Sequence, residues 1–480
     1  MKRNKANTPF LVALLPVIVL TLLMGIGFGV YRYNVSFLLL IASLFTGILA
    51  MLYGTTWQEI NDAISDKVGK AFMPVFIFVF VGMIIGSWML SGTIPMMVYY
   101  GLKLISPAYF LVSAFIICSI VSVCTGTSFG SVGTVGLALI GVASGLGVNM
   151  AAAAGAIISG SYFGDKMSPL SDTTNLAPVA AGDTLFEHVG HMFYSTIPIS
   201  IICLIVYFIA GRSSSVVSNV DLSLASNIMK SLDASFKFNI LLLLPILVVL
   251  IGSVKGFPPI PVMFLSSLIA GLLAIVFQGS NLSNFIIACS SGFKVTMLVS
   301  GDSSSLPANV VTLLERGGML SMMGTMLMVL CSFTFGGIMT ASGFLENIIN
   351  KLQSVANSDG SLVAVSAVST AITAVIAGNA YIPILINGEL FRNSYIKRHL
   401  HPMNLSMVLE DCGTVVVPLV PWSAGGAYMS ATLGVATFAY DPWAVLCLLG
   451  PIFMILYGYT GFSLKRITDE QKASYEAKWE

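Results

Sequence analysis

Apolar runs of bilayer-spanning length recur from one end of this chain to the other, and a chain so patterned has few folds open to it. A helix needs about 20 predominantly apolar residues to cross the hydrocarbon core of a membrane. Runs that meet or approach this length are Phe10–Val30, Phe37–Tyr53, Phe72–Ser91, Tyr109–Cys124, Met192–Ala210, Val262–Phe277, Met319–Thr340 and Trp443–Tyr459. Weaker, Gly- and Ala-rich candidates lie at Val132–Leu146, Ala151–Phe163, Leu362–Ala377 and Leu405–Val420. Together they predict an all-α polytopic membrane protein with about eleven to thirteen crossings, some of them broken or re-entrant. Charge supports this: 9% of the 480 residues are charged, against about 25% in ordinary soluble proteins.

Other classes fall away. The opening "MKRNK" precedes an apolar stretch too long for a signal peptide and without a small-residue cleavage site, so it reads as an uncleaved first helix. A net charge of +1 and the lack of a basic patch interleaved with aromatics argue against a nucleic-acid partner. The seven cysteines are scattered through apolar runs without a Cys-x-x-Cys, which indicates packing rather than disulfides or zinc. No Ser–His–Asp set or phosphate-cradling loop is present, so neither an enzyme nor a cofactor is expected.

The chain also reads as two versions of one pattern, about 250 residues apart. "GSWMLSG" (Gly86–Gly92) matches "GIMTASG" (Gly337–Gly343), and "TGTSF" (Thr125–Phe129) matches "AGNAY" (Ala377–Tyr381). Asp165 in "GDKMSPLSDT" meets Asp411 in "EDCGTVVVPLVPW", Pro169-Leu170 meets Pro418-Leu419, and Pro198 meets Pro451. Pro16 and Pro245 pair in the same way. The expected division is residues 1–211 as a first transmembrane repeat, 212–237 as a polar linker and 238–480 as a second repeat. Basic residues collect on the cytoplasmic side of membrane proteins. The uncharged "GVASGLGVN" and its counterpart "FRNSYIKRHLH" therefore suggest opposite sides and an inverted duplication. Lys2, Arg3 and Lys5 place the N-terminus inside, and Lys465, Arg466, Lys472 and Lys478 do the same for the C-terminus. Linker residues Arg212, Lys230 and Lys237 run mildly against this.

The interruptions carry the chemistry. "GSYFGDKMSPLSDTTNLAPVA" (Gly160–Ala180) places Asp165, Lys166 and Asp172 at the end of an apolar helix. A charge at the bilayer centre costs about 2.5–3.5 kcal/mol on insertion scales and is tolerated where partners exist. Pro169 lacks an N–H and pushes Ser168 out of helical geometry, so a break near Met167–Pro169 is expected. A break frees carbonyls, and Ser168, Ser171, Thr173, Thr174 and Asn175 add oxygens around them. Carboxylate, hydroxyl and carbonyl oxygen suit a small hard cation such as Na+, and the same carboxylate can hold a proton. The plainer alternative is a capped loop in which Asp165 pairs with Lys166. Glu410-Asp411, recurring before Pro418 and Pro421, favours the site. "CTGTSFGSVG" (Cys124–Gly133) and "IAGNAYIPI" (Ile376–Ile384) interrupt two further spans and offer Thr125, Thr127, Ser128 and Asn379. Close helix packing is the competing account of their glycines.

Weaker features remain. "GIGFG" (Gly25–Gly29) lacks a βαβ context, and His188 and His191 in "FEHVGH" read as an interface pair, pH-responsive rather than metal-ligating. Glu389 and Arg392 are expected to pair near a span end.

"GDKMSPLSDTTNLAP" (Gly164–Pro178) closely resembles the signature of the NhaC family of sodium/proton antiporters. "LLERGGMLSMMGT" (Leu313–Thr325) and "EDCGTVVVPLVPW" (Glu410–Trp422) resemble the same family. The resemblance implies a bacterial inner-membrane secondary transporter with inverted repeats, re-entrant hairpins and often homodimeric elevator movement. It implies site roles for Asp165, Ser168, Asp172, Thr173, Thr174 and Asn175, with Asn379, Asp411, Thr414 and Trp422 as partners. Na+ at Asp165 and Asp172, exchanged for H+, is the expected cargo. The resemblance leaves open an organic solute such as malate, lactate or an amino acid, because family relatives differ in this. An ion channel is a third reading, separated from a carrier by whether occupancy is competitive.

Overall fold

The computed structural model describes residues 8–31, 33–213, 222–255, 257–298 and 306–479. Lys2, Arg3 and Lys5, on which the side of the N-terminus was argued, lie outside the described residues. The first half runs α1 (Phe10–Leu22, continued by a π-helical stretch Leu23–Val30), α2 (Val35–Leu52), α3 (Trp57–Ser91), α4 (Thr93–Leu104) and α5 (Phe110–Thr125). It continues as α6 (Ser128–Leu146), α7 (Met150–Met167), α8 (Asp172–Ala181) and α9 (Leu185–Ala210). Then follow α10 (Leu222–Ser235), α11 (Leu244–Val254), α12 (Pro259–Gln278), α13 (Leu282–Ser291), α14 (Ala308–Leu314) and α15 (Met323–Ala341). The last stretch is α16 (Phe344–Gln353), α17 (Asp359–Ala377), α18 (Tyr381–Lys397), α19 (Pro402–Leu409, then a π-helical turn Glu410–Thr414) and α20 (Ala424–Leu433). It closes with α21 (Thr437–Tyr440), α22 (Val445–Thr460) and α23 (Asp469–Trp479).

Among the described residues eight helices are long and apolar enough to cross a bilayer, and up to 12 if each bent pair counts as one span. That agrees with the sequence reading. Among the described residues the only β pairing is a single bridge between Leu400 and Arg466. Residues 212–237, expected as a polar linker, contain α10. Ile228 and Leu232, one turn apart, bury one face of it in the core, and Phe236 just past its end joins them.

Local chemistry explains the ends that matter. Asn149 starts α7 by accepting hydrogen bonds from Ala151 N and Ala152 N, and Ser171 starts α8 by accepting from Thr174 N. Gly126 and Gly378 end α5 and α17 at φ +68° and +67°, a conformation that a Cβ makes costly. After each the chain turns and re-enters a helix, α6 or α18. α7 ends at Met167 because Ser168, before Pro169, is extended at φ −85° and ψ 126°.

Corresponding fastenings close the two sets of breaks. Ser168 Oγ donates to Val123 O at 2.8 Å in one, and Trp422 Nε1 donates to Val375 O at 3.0 Å in the other. The short helices are exchanged: α8 packs on α18 and α19, while α20 packs on α6. α7 lies against α5 through bare glycines. A Cβ on Gly160 would come within 2.3 Å of Phe115 O, and one on Gly164 within 2.3 Å of Ser122 Cβ. This close packing carries the last turn of α7, and Asp165 with it, into the protein interior.

Candidate functional site

Asp165 is 7% exposed. Its Oδ2 accepts from Ser128 Oγ at 2.6 Å, and its Oδ1 from Ser171 Oγ at 2.7 Å. Ser128 opens α6 just past the Gly126 turn, and Ser171 is the N-cap of α8 just past the Pro169 break. The two breaks of the first half thus each deliver a hydroxyl to one carboxylate. Ser171 Oγ lies 3.2 Å from Thr173 Oγ1, which donates to Glu410 Oε1 at 3.1 Å. Glu410 is fully buried in the π-helical turn. Thr414 faces the same carboxylate, yet neither Glu410 Oε2 nor Thr414 Oγ1 completes a hydrogen bond. The two oxygens face each other without a well-formed bond, beside the hydroxyls that reach Asp165.

Asp165 and Asp172 stand within electrostatic reach of each other, but only Asp165 is buried. Ser171 turns inward as the cap, while Asp172, the next residue, stands on the exposed side of the first turn. Its Oδ1 accepts from its neighbour Thr173 N at 3.0 Å, and its Oδ2 accepts from the Tyr381 hydroxyl. Thr174 Oγ1 donates to Asp165 O at 3.0 Å, and Asn175, also exposed, donates to Pro169 O and Ser171 O at 2.8 and 2.6 Å. With Ser168 these residues brace the break. Thr127 accepts from Gly130 N at 3.4 Å as a cap, and Thr125 lies 3.3 Å from Ser131 Oγ. Asn379 bridges its own break, donating to Ala377 O and accepting from Ile382 N, both at 3.0 Å. Trp422 fastens α17. Of the candidate residues, Asp165, Ser128, Ser171, Thr173, Glu410 and Thr414 come together; the rest surround them.

Asp411 has a different partner. The Lys166 ammonium forms an ion pair with Asp411 Oδ1, each side chain 1% exposed. Ser195 on α9 completes it, lying 3.1 Å from Lys166 Nζ and donating to Asp411 Oδ2 at 2.7 Å. Asp411 is therefore neutralised internally, which among the described residues leaves Asp165 and Glu410 as the buried carboxylates without an ion-pair partner. Lys166, Ser195 and Tyr381 were not singled out as site residues from sequence. Lys166 sits inside the motif and carried a signal; Ser195, in the middle of an apolar span, carried none. Arg392 donates to Ala180 O at 3.0 Å from Nε, fixing the end of α8.

The donor set is all oxygen, from two carboxylates and four hydroxyls. It suits a small hard monovalent cation or a proton, and hydroxyls can turn either their hydrogen or their lone pairs toward the centre. Among the described residues no group of three or more His, Cys, Asp or Glu side chains could hold a transition metal.

Residues 160–462 match the model of the Na+/H+ antiporter family. The chain is 44% identical over 453 residues to an uncharacterized Na+/H+ antiporter of Haemophilus influenzae, covering 94% of this chain and 96% of that one. It is 37% identical to the Na+/H+ antiporter NhaC of Alkalihalophilus pseudofirmus, covering 85% and 86%. It is also 35% identical to the malate-2H+/Na+-lactate antiporter of Bacillus subtilis, covering 86% of each.

Proposed function

The chain belongs to the Na+/H+ antiporter family, and from that premise we propose that it exchanges sodium for protons at the Asp165–Glu410 cluster. The observation that carries this is the run of hydroxyls, Ser128 and Ser171 on Asp165 and Thr173 on Glu410 with Ser171 and Thr173 3.2 Å apart, that ties two buried carboxylates together. Two carboxylates sharing a buried site cannot both be charged without a counter-cation. With the Asp165 and Glu410 carboxylates ionised, Na+ fills the centre, and Ser128, Ser171, Thr173 and Thr414 turn lone pairs toward it. With a proton on one carboxylate, Ser128, Ser171 and Thr173 donate, as they do here, and the cation has no place. Occupancy by one excludes the other. A carrier that changes its accessible face only when occupied then exchanges the two. Asp172, exposed and held by Tyr381, acts at the mouth of the site rather than at its centre.

The same reading takes residues 1–211 and 238–480 as two transmembrane repeats of inverted topology, joined by residues 212–237. The paired turns at Gly126 and Gly378, the paired fastenings onto Val123 and Val375, and the exchange of α8 and α20 support it. The protein sits in a bacterial inner membrane with both termini cytoplasmic, a reading that rests on the basic residues beside them.

A second reading, coupled transport of an organic solute, has its own observation. Lys67 on α3 is 7% exposed, and its ammonium has no hydrogen-bond partner. It lies beside Gly336, where a Cβ would come within 2.4 Å of Nζ. Ser332, one turn away on α15, has an equally unpartnered hydroxyl next to Gly378. A buried cation beside a helix break suits a carboxylate, and one relative is named for malate and lactate.

The experiment that decides is reconstitution into liposomes with an entrapped pH dye. Sodium-driven proton movement without organic solute, abolished by Asp165→Asn, is the expected result. Proton movement that begins only when malate, lactate or an amino acid is added replaces the first reading with the second.

A further inference from the structure

We propose that the groove between the start of α17 and the end of α22 binds the phosphate headgroup of an anionic phospholipid. The groove has a volume of about 540 Å³ and shares no residue with the Asp165–Glu410 cluster. Its walls are residues 358–360 at the start of α17, residues 458–461 at the end of α22, Arg398 just past α18, and Leu464 and Arg466 on the way to α23. Glycines shape it. A Cβ on Gly360 would come within 2.9 Å of Gly458 O, and one on Gly458 within 2.8 Å of Val363 Cβ, so the two helix ends touch through bare backbone. Gly461 then turns the chain at φ +72° with open space where its Cβ would stand, which leaves the groove unfilled.

The segment beyond Gly461 brings two arginines together. Ile467 N donates to His399 O and His401 N to Lys465 O, both at 3.0 Å, so that Leu400 and Arg466 pair as an antiparallel bridge. This sets Arg466 on the same groove as Arg398, with Asp359 between them. Arg466 Nη2 donates to Asp359 Oδ2 at 2.8 Å, while Arg398 Nη1 lies 3.6 Å from Asp359 Oδ1 and its Nη2 donates to Ala356 O at 2.8 Å. These three are the charged residues that line the groove. One carboxylate stands against two guanidiniums, which leaves one positive charge over. A guanidinium carries five N–H donors in a fork that matches phosphate. Each of these two spends one on the hydrogen bonds named, and the others remain for a second anion.

The approach to the groove identifies which phosphate. Ile452, Leu456 and Tyr459 on α22 are spaced four and three residues apart, share one face of the helix and are all exposed. On a membrane-spanning helix such a stripe faces acyl chains, and an aromatic ring at its end marks the headgroup level. The stripe ends in the groove itself, where Tyr459 forms part of the wall. A free phosphate uses the guanidiniums alone. A phospholipid uses the guanidiniums and the stripe together, and the charge left over matches a headgroup with one negative charge.

The test uses the full chain purified in neutral detergent and supplied with phosphatidylglycerol, phosphatidylcholine or glycerol 1-phosphate. Bound lipid is read by native mass spectrometry and stability by thermal melting. Phosphatidylglycerol is expected to bind and to raise the melting temperature, and the other two to leave it unchanged at equal concentration. Arg398→Gln and Arg466→Gln are each expected to weaken phosphatidylglycerol binding by about fivefold or more, the factor contributed by one cation at an anionic surface. The Arg466 side chain is 64% exposed, so Arg466→Gln keeps the fold and carries the test even where Arg398→Gln does not fold. Equal shifts from phosphatidylglycerol and phosphatidylcholine overturn the proposal, as does phosphatidylglycerol binding that Arg466→Gln leaves intact. A shift with glycerol 1-phosphate as large as that with phosphatidylglycerol overturns it in favour of a soluble phosphate ligand.

Discussion

Lys166 and Asp411, far apart in the chain, form an ion pair from which water is excluded on both sides, each side chain 1% exposed. Ser195 touches both partners, so the pair joins α7, α9 and the π-helical turn after α19 at one point. Removing one partner of such a pair strands a buried charge and typically costs about 3–5 kcal/mol, whereas replacing both with apolar residues is often close to neutral. Lys166→Met and Asp411→Leu are each expected to lower the melting temperature of the purified protein sharply. The double variant is expected to recover most of the loss. Additive losses in a double-mutant cycle would show that the two side chains are not coupled.

Asp165 and Asp172 are expected to behave differently although both are acids of one motif. Asp165→Asn should abolish the sodium-induced rise in melting temperature, because the carboxylate shared by Ser128 and Ser171 is then gone. Ser128→Ala and Ser171→Ala each remove one oxygen and should weaken sodium binding about tenfold, which corresponds to about 1.4 kcal/mol. Asp172→Asn and Tyr381→Phe disturb an exposed contact and should alter the affinity by less than about threefold. Isothermal titration with sodium distinguishes the five. Equal losses from Asp172→Asn and Asp165→Asn would place both acids at the ion.

Much of this was legible in the sequence, and the reasons for the remainder are physical. Pro169 and the glycines at 126 and 378 mark the breaks, because they change backbone geometry whatever surrounds them. Asp165 stood out because an acid inside an apolar run needs partners. Which acid faces inward was not legible: neighbouring helical residues point about 100° apart, so the phase of α8 decides between Ser171 and Asp172. Thr127 and Asn379 look the same as ligands or as caps, since both roles use the same side-chain oxygen, and here they cap or bridge their breaks. The Lys166–Asp411 pair depends on how distant segments meet, which no local pattern encodes. His188 and His191, buried rather than at the interface, have a spacing that fits a surface or an interior face equally well.

Gly126 and Gly343 separate two costs that glycine usually hides together. Both lie at positive φ, +68° and +71°, where any Cβ brings backbone strain. At Gly343 nothing stands near the missing Cβ, while at Gly126 it would come within 2.6 Å of Leu170 Cβ and 2.8 Å of Leu170 C. Gly343→Ala should therefore cost about 1 kcal/mol. Gly126→Ala should cost more, and should also reduce sodium binding, since Leu170 belongs to the break that positions Ser171. Melting curves for the two variants make the comparison; equal losses would mean that Leu170 yields freely.

Asp183, in the loop between α8 and α9, sets a pH dependence of stability. Burial pushes its carboxyl up to about 7, with neighbouring Glu187 adding to the rise, against about 3.9 in an unfolded chain. The folded protein therefore favours the neutral acid, and near neutral pH it binds more protons than the unfolded chain does. The stability contributed by that neutral form is present in full below the unfolded value and is lost as pH rises through about 7. Between about pH 5 and about pH 8, the wild-type melting temperature should fall more steeply than that of Asp183→Asn, whose side chain cannot ionise. Asparagine keeps an oxygen for Ser406, so the hydrogen bond at 3.3 Å survives the change and any difference in slope belongs to the charge. Parallel melting profiles for the two proteins across that range would remove Asp183 as the group responsible.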